Sequence, residues 1–227
     1  MTQHDTPTTE VISASAAIAA STVPPAPTNG PASDLPSKGE KNVTIEVPAA
    51  SIADDEAFVG ALTDLINAAY GEAEAGIFKP GYLRTSASDV AKFLKAGDLV
   101  VASVPTTPGR TPLGCISIRK LGANRAELGL FAVAMAQRGS GIGRDLMGWA
   151  ERWCRDELGG GPGVAIAQLE LLVPTHFDHP FKARLDLWYT RRGYRVTGRR
   201  DFALDYPDLA PLLAGPTEYR VYEKTLD

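Results

Sequence analysis

Arg138, Gly139, Ser140, Gly141, Ile142, Gly143 and Arg144 form one run whose residue types suit the holding of a phosphate. The run follows an apolar, strand-like stretch ending in Phe131, Ala132 and Val133, and it precedes residues at helical spacing. Free backbone N–H groups at a helix start point the same way, and the helix dipole adds positive potential there. Glycine at 139, 141 and 143 leaves no side chain in the path of an arriving phosphate. Arg138 and Arg144 add charge-assisted donors suited to a diphosphate. A plain turn with glycines for close packing would look the same, so the run alone leaves both readings open. Other phosphate motifs fit less well. The third glycine comes one residue too early for GxGxxG, no Lys-Ser/Thr pair follows as in a P-loop, and antiparallel strands precede the turn.

The elements around this run follow from periodicity. Residues 43–47 alternate apolar and polar, which predicts a strand. Phe58, Leu62, Leu65, Ile66 and Ala69 recur at helical spacing and predict a helix over 54–70. Residues 71–85 hold Pro80 and Gly81 and read as a loop. Ser86 followed by Asp89 is a capping arrangement for a short helix that Gly97 ends. Strands are expected over 99–104, 113–121 and 127–134, joined by turns short enough to make them antiparallel. A helix over 141–158 is broken by the glycine-rich segment 159–163. A long, almost wholly apolar strand over 164–173 follows, of the kind buried on both faces. A helix over 180–192 carries Leu185, Trp188 and Tyr189; Gly193 ends it, Tyr194 opens a strand, and 219–225 closes the chain. The order β-α-α-β-β-β-α-β-α-β-β implies an α/β (α+β) class, a mixed sheet with helices against it.

With those elements in place, Arg138-x-x-Gly141-x-Gly143 after a strand and before a helix resembles the acetyl-CoA signature of the GNAT N-acetyltransferase superfamily. Downstream, a helix ends in Trp188 and Tyr189 and is followed by Gly193 and Tyr194, a second feature of that family. The resemblance covers residues 43–227 and is densest over 126–198. It implies a GNAT fold, a mixed and mostly antiparallel sheet of about six to seven strands flanked by about four helices. It implies acetyl-CoA as cosubstrate and transfer of acetyl to a primary amine by direct attack. Phe131, Ala132 and Val133 would form a splayed strand end, with a bulge near it, that hydrogen-bonds the pantetheine arm. An N–H near Val133 would polarise the thioester carbonyl. Tyr189 matches the position of the acid that faces the sulfur, and Glu127 aligns with a carboxylate that serves some members as base. Met135 stands where many members have proline. Lys182 stands where many have an asparagine that contacts the cofactor, so that contact is not transferred.

By the same resemblance, the segment joining the first two helices helps form the acceptor side. There Tyr70, Glu72, Glu74, Phe78 and Tyr82 suggest charge and cation–π attraction for a cationic amine. His176 and His179 flank the helix carrying Tyr189; a second base, a metal pair or simple solvation all suit loop histidines. Two alternatives to a small-molecule acetyltransferase remain: a non-catalytic acyl-CoA-binding module and a protein or peptide N-acetyltransferase.

Composition narrows the classes further. The 227 residues carry a formal net charge of −4, which argues against sequence-independent nucleic-acid binding. Hydrophobic residues at 44% and charged residues at 22% match a soluble domain able to bury a core without staples. Cys115 and Cys154 lie in apolar segments with no metal-type spacing, so both are expected to be buried reduced thiols. No apolar run is long enough to span a bilayer. Residues 11–20 lack the basic start of a secretory signal, so a cytoplasmic protein is expected. Residues 1–42, rich in Pro, Ser, Thr and Ala, read as a disordered tail ahead of a domain over 43–227. A homodimer is one expectation for its assembly.

Overall fold

The sequence periodicities become seven strands and five α-helices in the computed structural model, which describes residues 42–158 and 164–227. The expected tail and the glycine-rich break at 159–163 lie outside the described residues, residue 42 excepted.

Strand β1 (Thr44–Glu46) leads through a 3-10 turn into α1 (Glu56–Ala73). The Asp55 carboxylate accepts the Phe58 N–H at 3.0 Å, so α1 starts after this cap and not at residue 54. It also runs past Tyr70 to the fully buried Ala73, and the chain turns at Gly76, where φ is 76°. Helix α2 (Ala87–Ala96) is capped as expected. Ser86 accepts the Asp89 N–H at 3.2 Å, and Gly97 closes the helix in the left-handed region at φ 75°.

Strands β2 (Leu99–Pro105), β3 (Arg110–Lys120) and β4 (Arg125–Val133) form the expected antiparallel run. Strand β3 begins before residue 113 because Arg110 already pairs with Pro105, and its guanidinium reaches Glu46. Helix α3 (Ile142–Leu158) crosses over to β5 (Ala165–Pro174), burying Leu146, Ala150, Cys154 and Leu158 at four-residue spacing. Helix α4 (Pro180–Arg191), β6 (Arg195–Arg200) and β7 (Thr217–Leu226) complete the chain. Between β6 and β7 lies an unexpected single turn, α5 (Phe202–Asp205), which is too short to show a helical period. Phe202 anchors it against Phe78 and Tyr219.

The sheet order is β1-β2-β3-β4-β5-β7-β6, and among the described residues only β4 and β5 run parallel. Successive strand residues point to opposite faces, which assigns the helices. A Cβ on Gly114 would meet Leu146 of α3 at 3.1 Å, whereas Cys115 faces Tyr70 of α1. Helices α1 and α3 therefore cover opposite faces. Both thiols are buried, and burial pushes each up to about 12. Among the described residues no helix is long and apolar enough to cross a membrane.

Candidate active site

The register of β4 and β5 opens the site. They pair only at Arg125, Ala126 and Glu127, opposite Ile166, Ala167 and Gln168. Beyond that point the strands part. Strand β4 carries a bulge there: Cys115 pairs with Ala132 and Ser117 with Gly129, so three steps of β4 match two of β3. Leu130 sits inside the bulge at φ 38°, a conformation that side chains rarely adopt, and its carbonyl accepts the Cys115 Sγ–H at 3.3 Å. Phe131, Ala132 and Val133 follow on the free edge and are buried.

At the end of β4 a 3-10 turn (Met135–Gln137) delivers the glycine run. Gly139 and Gly141 adopt φ values of 77° and 97°, which require glycine. Ser140 Oγ donates to Gln137 O at 2.6 Å and so braces the turn. The α3 ladder opens with Asp145 N–H donating to Gly141 O at 3.0 Å. The N–H groups of Ile142, Gly143 and Arg144 thus precede the ladder at the helix start, that of Ile142 making only a long contact to Ser140 Oγ at 3.5 Å. The two arginines do not behave alike. Arg144 is exposed and folds onto Asp145, with Nε to Oδ1 at 2.9 Å. Arg138 turns its Nη1 to Glu72 at 2.6 Å and lies over the Phe181 ring, while its Nε and Nη2 have no hydrogen-bond partner among the described residues.

Tyr189 and Glu127 lie on opposite faces of the sheet. Tyr189 is fully buried among Trp188, Tyr194 and Tyr222. Tyr222 pairs with Leu169, and Tyr194 donates to Met147 Sδ of α3, so these rings share the α3 face. Phe131 of the bulge meets Trp188 at 5.9 Å, which seats α4 beside the parted strands.

Glu127 lies on the α1 face, 2% exposed and paired with Arg119. Its register partner Gln168 donates to Glu170 at 3.3 Å. Glu170 is a feature that periodicity did not reveal. It is 1% exposed, accepts from Arg200 Nη1 at 2.8 Å and is hydrogen-bonded by Tyr219. Burial, and then the Glu127 charge, push its carboxyl up to about 6, against the hydrogen bond from Tyr219 and the charge of Arg200. It was hidden inside an apolar run; the only signal was a lone acid within a strand otherwise buried on both faces.

The loop carboxylates correct one expectation. Glu72 is taken by Arg138, and Glu74 is buried between Arg84 and Lys182. Neither stands ready for a cationic amine, because each is already matched by cations of this chain. His179 caps α4, its Nδ1 accepting the Lys182 N–H at 3.4 Å, and burial followed by the Lys182 charge lower its pKa. His176 is exposed, with Nδ1 3.3 Å from Pro216 O.

A mixed sheet whose single parallel pair parts at a bulge, with a glycine-rich helix start at the end of the parted strand, defines the GNAT fold. Residues 78–168 match the family model described as acetyltransferase (GNAT) family. That stretch and the fold around it are similar to the GNAT acetyltransferase superfamily. Solved structures of like architecture include the PaiA N-acetyltransferase from Thermoplasma acidophilum in complex with coenzyme A. It is 16% identical, covers 81% of this chain and 99% of its own, and gives a TM-score of 0.55. An aminoglycoside 6′-N-acetyltransferase complexed with coenzyme A is 17% identical over 74% of this chain and 91% of its own, with a TM-score of 0.52. A chain of the NatC complex bound to Gag peptide and CoA is 18% identical over 82% and 99%, with a TM-score of 0.52. At these identities the likeness is one of fold. Comparison with curated proteins returns no match.

Proposed function

We propose that this protein is an N-acetyltransferase that moves an acetyl group from acetyl-CoA to a primary amine of a small molecule. The observation that carries this reading is the parting of β4 and β5 beyond Glu127 and Gln168, with the glycine turn at the end of the parted strand. The residues present fit the cosubstrate. A β-carbon at Gly141 would stand 3.1 Å from the Arg144 guanidinium, inside the space at the helix start. The N–H groups of Ile142, Gly143 and Arg144 suit a diphosphate, with Gly139, Ser140 and Gly141 shaping the turn. Arg144 is exposed and within reach to add charge, and Arg138 keeps Nε and Nη2 for the same role. The free edge of Phe131, Ala132 and Val133 suits an extended pantetheine arm, which would add to it as a strand does.

Bound there, acetyl-CoA supplies an acetyl group that an amine takes up as the carbon–sulfur bond breaks. Tyr189, on the α3 face, gives a proton to the leaving sulfur. On the α1 face Glu127 and its neighbour Glu170 take the ammonium proton, directly or through water. A carboxyl with a pKa of about 6 is a better base near neutral pH than an ordinary glutamate.

Thermal shift with CoA, acetyl-CoA and ATP on the wild type and on Gly141→Asp tests this. Ligand at a hundredfold excess over its Kd stabilises the folded state by about 2.7 kcal/mol. Both CoA forms should stabilise the wild type, and the variant should lose that gain while still melting cooperatively. No stabilisation at millimolar CoA would refute the reading. CoA binding without thiol release on any amine would instead mark a binding module.

A further inference from the structure

A second buried charge cluster lies where the last turn of α1, the segment 78–84 and the first turn of α4 meet. Glu74, Arg84 and Lys182 are 5%, 8% and 1% exposed. Arg84 Nη1 stands 4.0 Å and Lys182 Nζ 3.5 Å from the same Glu74 oxygen. Both distances exceed the roughly 2.7–2.9 Å of a close charge-assisted hydrogen bond. Two cations therefore share one carboxylate that neither grips closely. Burial works against the Arg84 charge, but Glu74 and Tyr82 beside it hold the guanidinium above its ordinary value. Burial lowers Lys182 from its ordinary value, and Glu74 works against that fall.

The unused donors are specific ones. Arg84 Nε and Nη2 have no hydrogen-bond partner among the described residues. These two nitrogens form the side-on edge of a guanidinium, the fork that meets both oxygens of one carboxylate. Tyr70, whose ring lies 4.6 Å from the Arg84 carbon Cζ, has a buried hydroxyl that also lacks a partner. Arg84 and Tyr70 line a cavity of about 410 Å³ together with Asn67, Phe78 and Tyr82, a size suited to a small molecule. Buried donors without acceptors cost free energy, and an acceptor entering the cavity would relieve that cost.

The cavity adjoins the reacting centre on two sides. Tyr70 faces Cys115, which pairs with Ala132 on the free edge of β4. Phe78 packs against Phe202, whose neighbours Tyr206 and Tyr219 reach Glu170. We propose that this cavity holds a carboxylate of the acyl acceptor on the Arg84 fork and the Tyr70 hydroxyl, which makes the acceptor an amine of the amino-acid class. The proposal rests on the acetyltransferase function above.

The test compares matched acceptors on the whole chain. Free amino acids, their primary amides and the corresponding carboxyl-free amines are assayed for thiol release from acetyl-CoA. Sites built to hydrogen-bond a substrate group discriminate strongly against analogues lacking it, so at least one acid should exceed its amide by about 100-fold in kcat/KM. Arg84→Lys keeps the charge without the fork and should shrink that ratio to about 10-fold or less, with CoA-induced stabilisation confirming a folded site. Independently of turnover, the preferred acid should raise the melting temperature of the CoA complex and its amide should not. Amides or carboxyl-free amines that serve as well as acids would overturn the proposal. So would a panel in which no acid reacts or shifts the CoA complex. Failure of CoA itself to bind would instead overturn the acetyltransferase function, and this proposal with it.

Discussion

Glu170→Gln replaces a buried carboxylate by a neutral group of the same shape, and its effect on stability must depend on pH. The carboxyl is pushed from its ordinary value of 4.5 up to about 6 in the folded protein. The folded state therefore binds this proton more tightly than the unfolded chain does. The stability linked to it is fully present below the unfolded value and is lost as pH rises through the folded one. A shift of this size corresponds to about 2 kcal/mol at most. Most of the loss lies between pH 4 and 8, and about 1.2 kcal/mol of it falls between pH 5 and 8.

The glutamine variant cannot lose what it does not titrate. Urea unfolding of both proteins at pH 5, 6.5 and 8 gives the difference directly, and subtraction removes the groups they share. The variant should gain about 1.2 kcal/mol on the wild type across that range. The repulsion from Glu127 is one of the causes of that shift and is already counted in it. The pairing with Arg200 exists only for the ionised carboxyl and is already contained in the net shift, so it adds nothing further to the slope. A pH-independent difference would refute the assignment of Glu170 as a carboxyl raised by burial. It would also remove the reason for preferring it as a base over an ordinary surface glutamate.

Tyr189→Phe keeps the ring packed against Tyr194 and Tyr222. It should lower kcat by about 100-fold or more with CoA affinity nearly unchanged, measured by thiol release and calorimetry; an unchanged kcat removes the acid role. Gly114→Ala places a Cβ 2.7 Å from the Ala132 carbonyl oxygen, which is backbone and cannot simply turn aside. Displacement of β4 at its free edge should cost about 1–3 kcal/mol in urea unfolding and weaken CoA binding, whereas native affinity would show that the edge does not position the cosubstrate.

What was legible in the sequence was local. Ser86, Asp89 and Gly97 fix α2 through contacts within a few residues, and the short turns between strands marked off β2 to β4. The position of the glycine turn was equally plain, because glycines at 139, 141 and 143 stand in one run. The parting of β4 from β5 has no local signature; it came from resemblance and is visible only in the register. The buried charges escaped for the opposite reason. Glu74, Arg84 and Lys182 lie on three separate elements, and each alone looks like an ordinary surface charge. Glu74 was read as a lure for cations because its neighbours in space were unknown. Glu170 was lost in an apolar strand whose one acid is matched from Arg200, Tyr206 and Tyr219, residues that come later in the chain.

The tie between Arg138 and Glu72 sets a competition that magnitudes can decide. Glu72 is 41% exposed in its side chain, so its pair with Arg138 is screened. Such pairs contribute about 0–1 kcal/mol. A diphosphate at the helix start offers two charges, the dipole and several N–H partners at once. It should therefore draw Arg138 away, and the cost of breaking the pair is subtracted from cosubstrate affinity. Glu72→Gln removes that cost, so CoA should bind up to about 5-fold more tightly at low salt, the equivalent of about 1 kcal/mol. The gain should shrink at 0.5 M salt, where screening already weakens the pair. Calorimetry at both salt concentrations measures it. An unchanged Kd would mean that Arg138 stays with α1 when CoA binds. The diphosphate would then be held by the backbone N–H groups of Ile142, Gly143 and Arg144, with Arg144 supplying the side-chain charge.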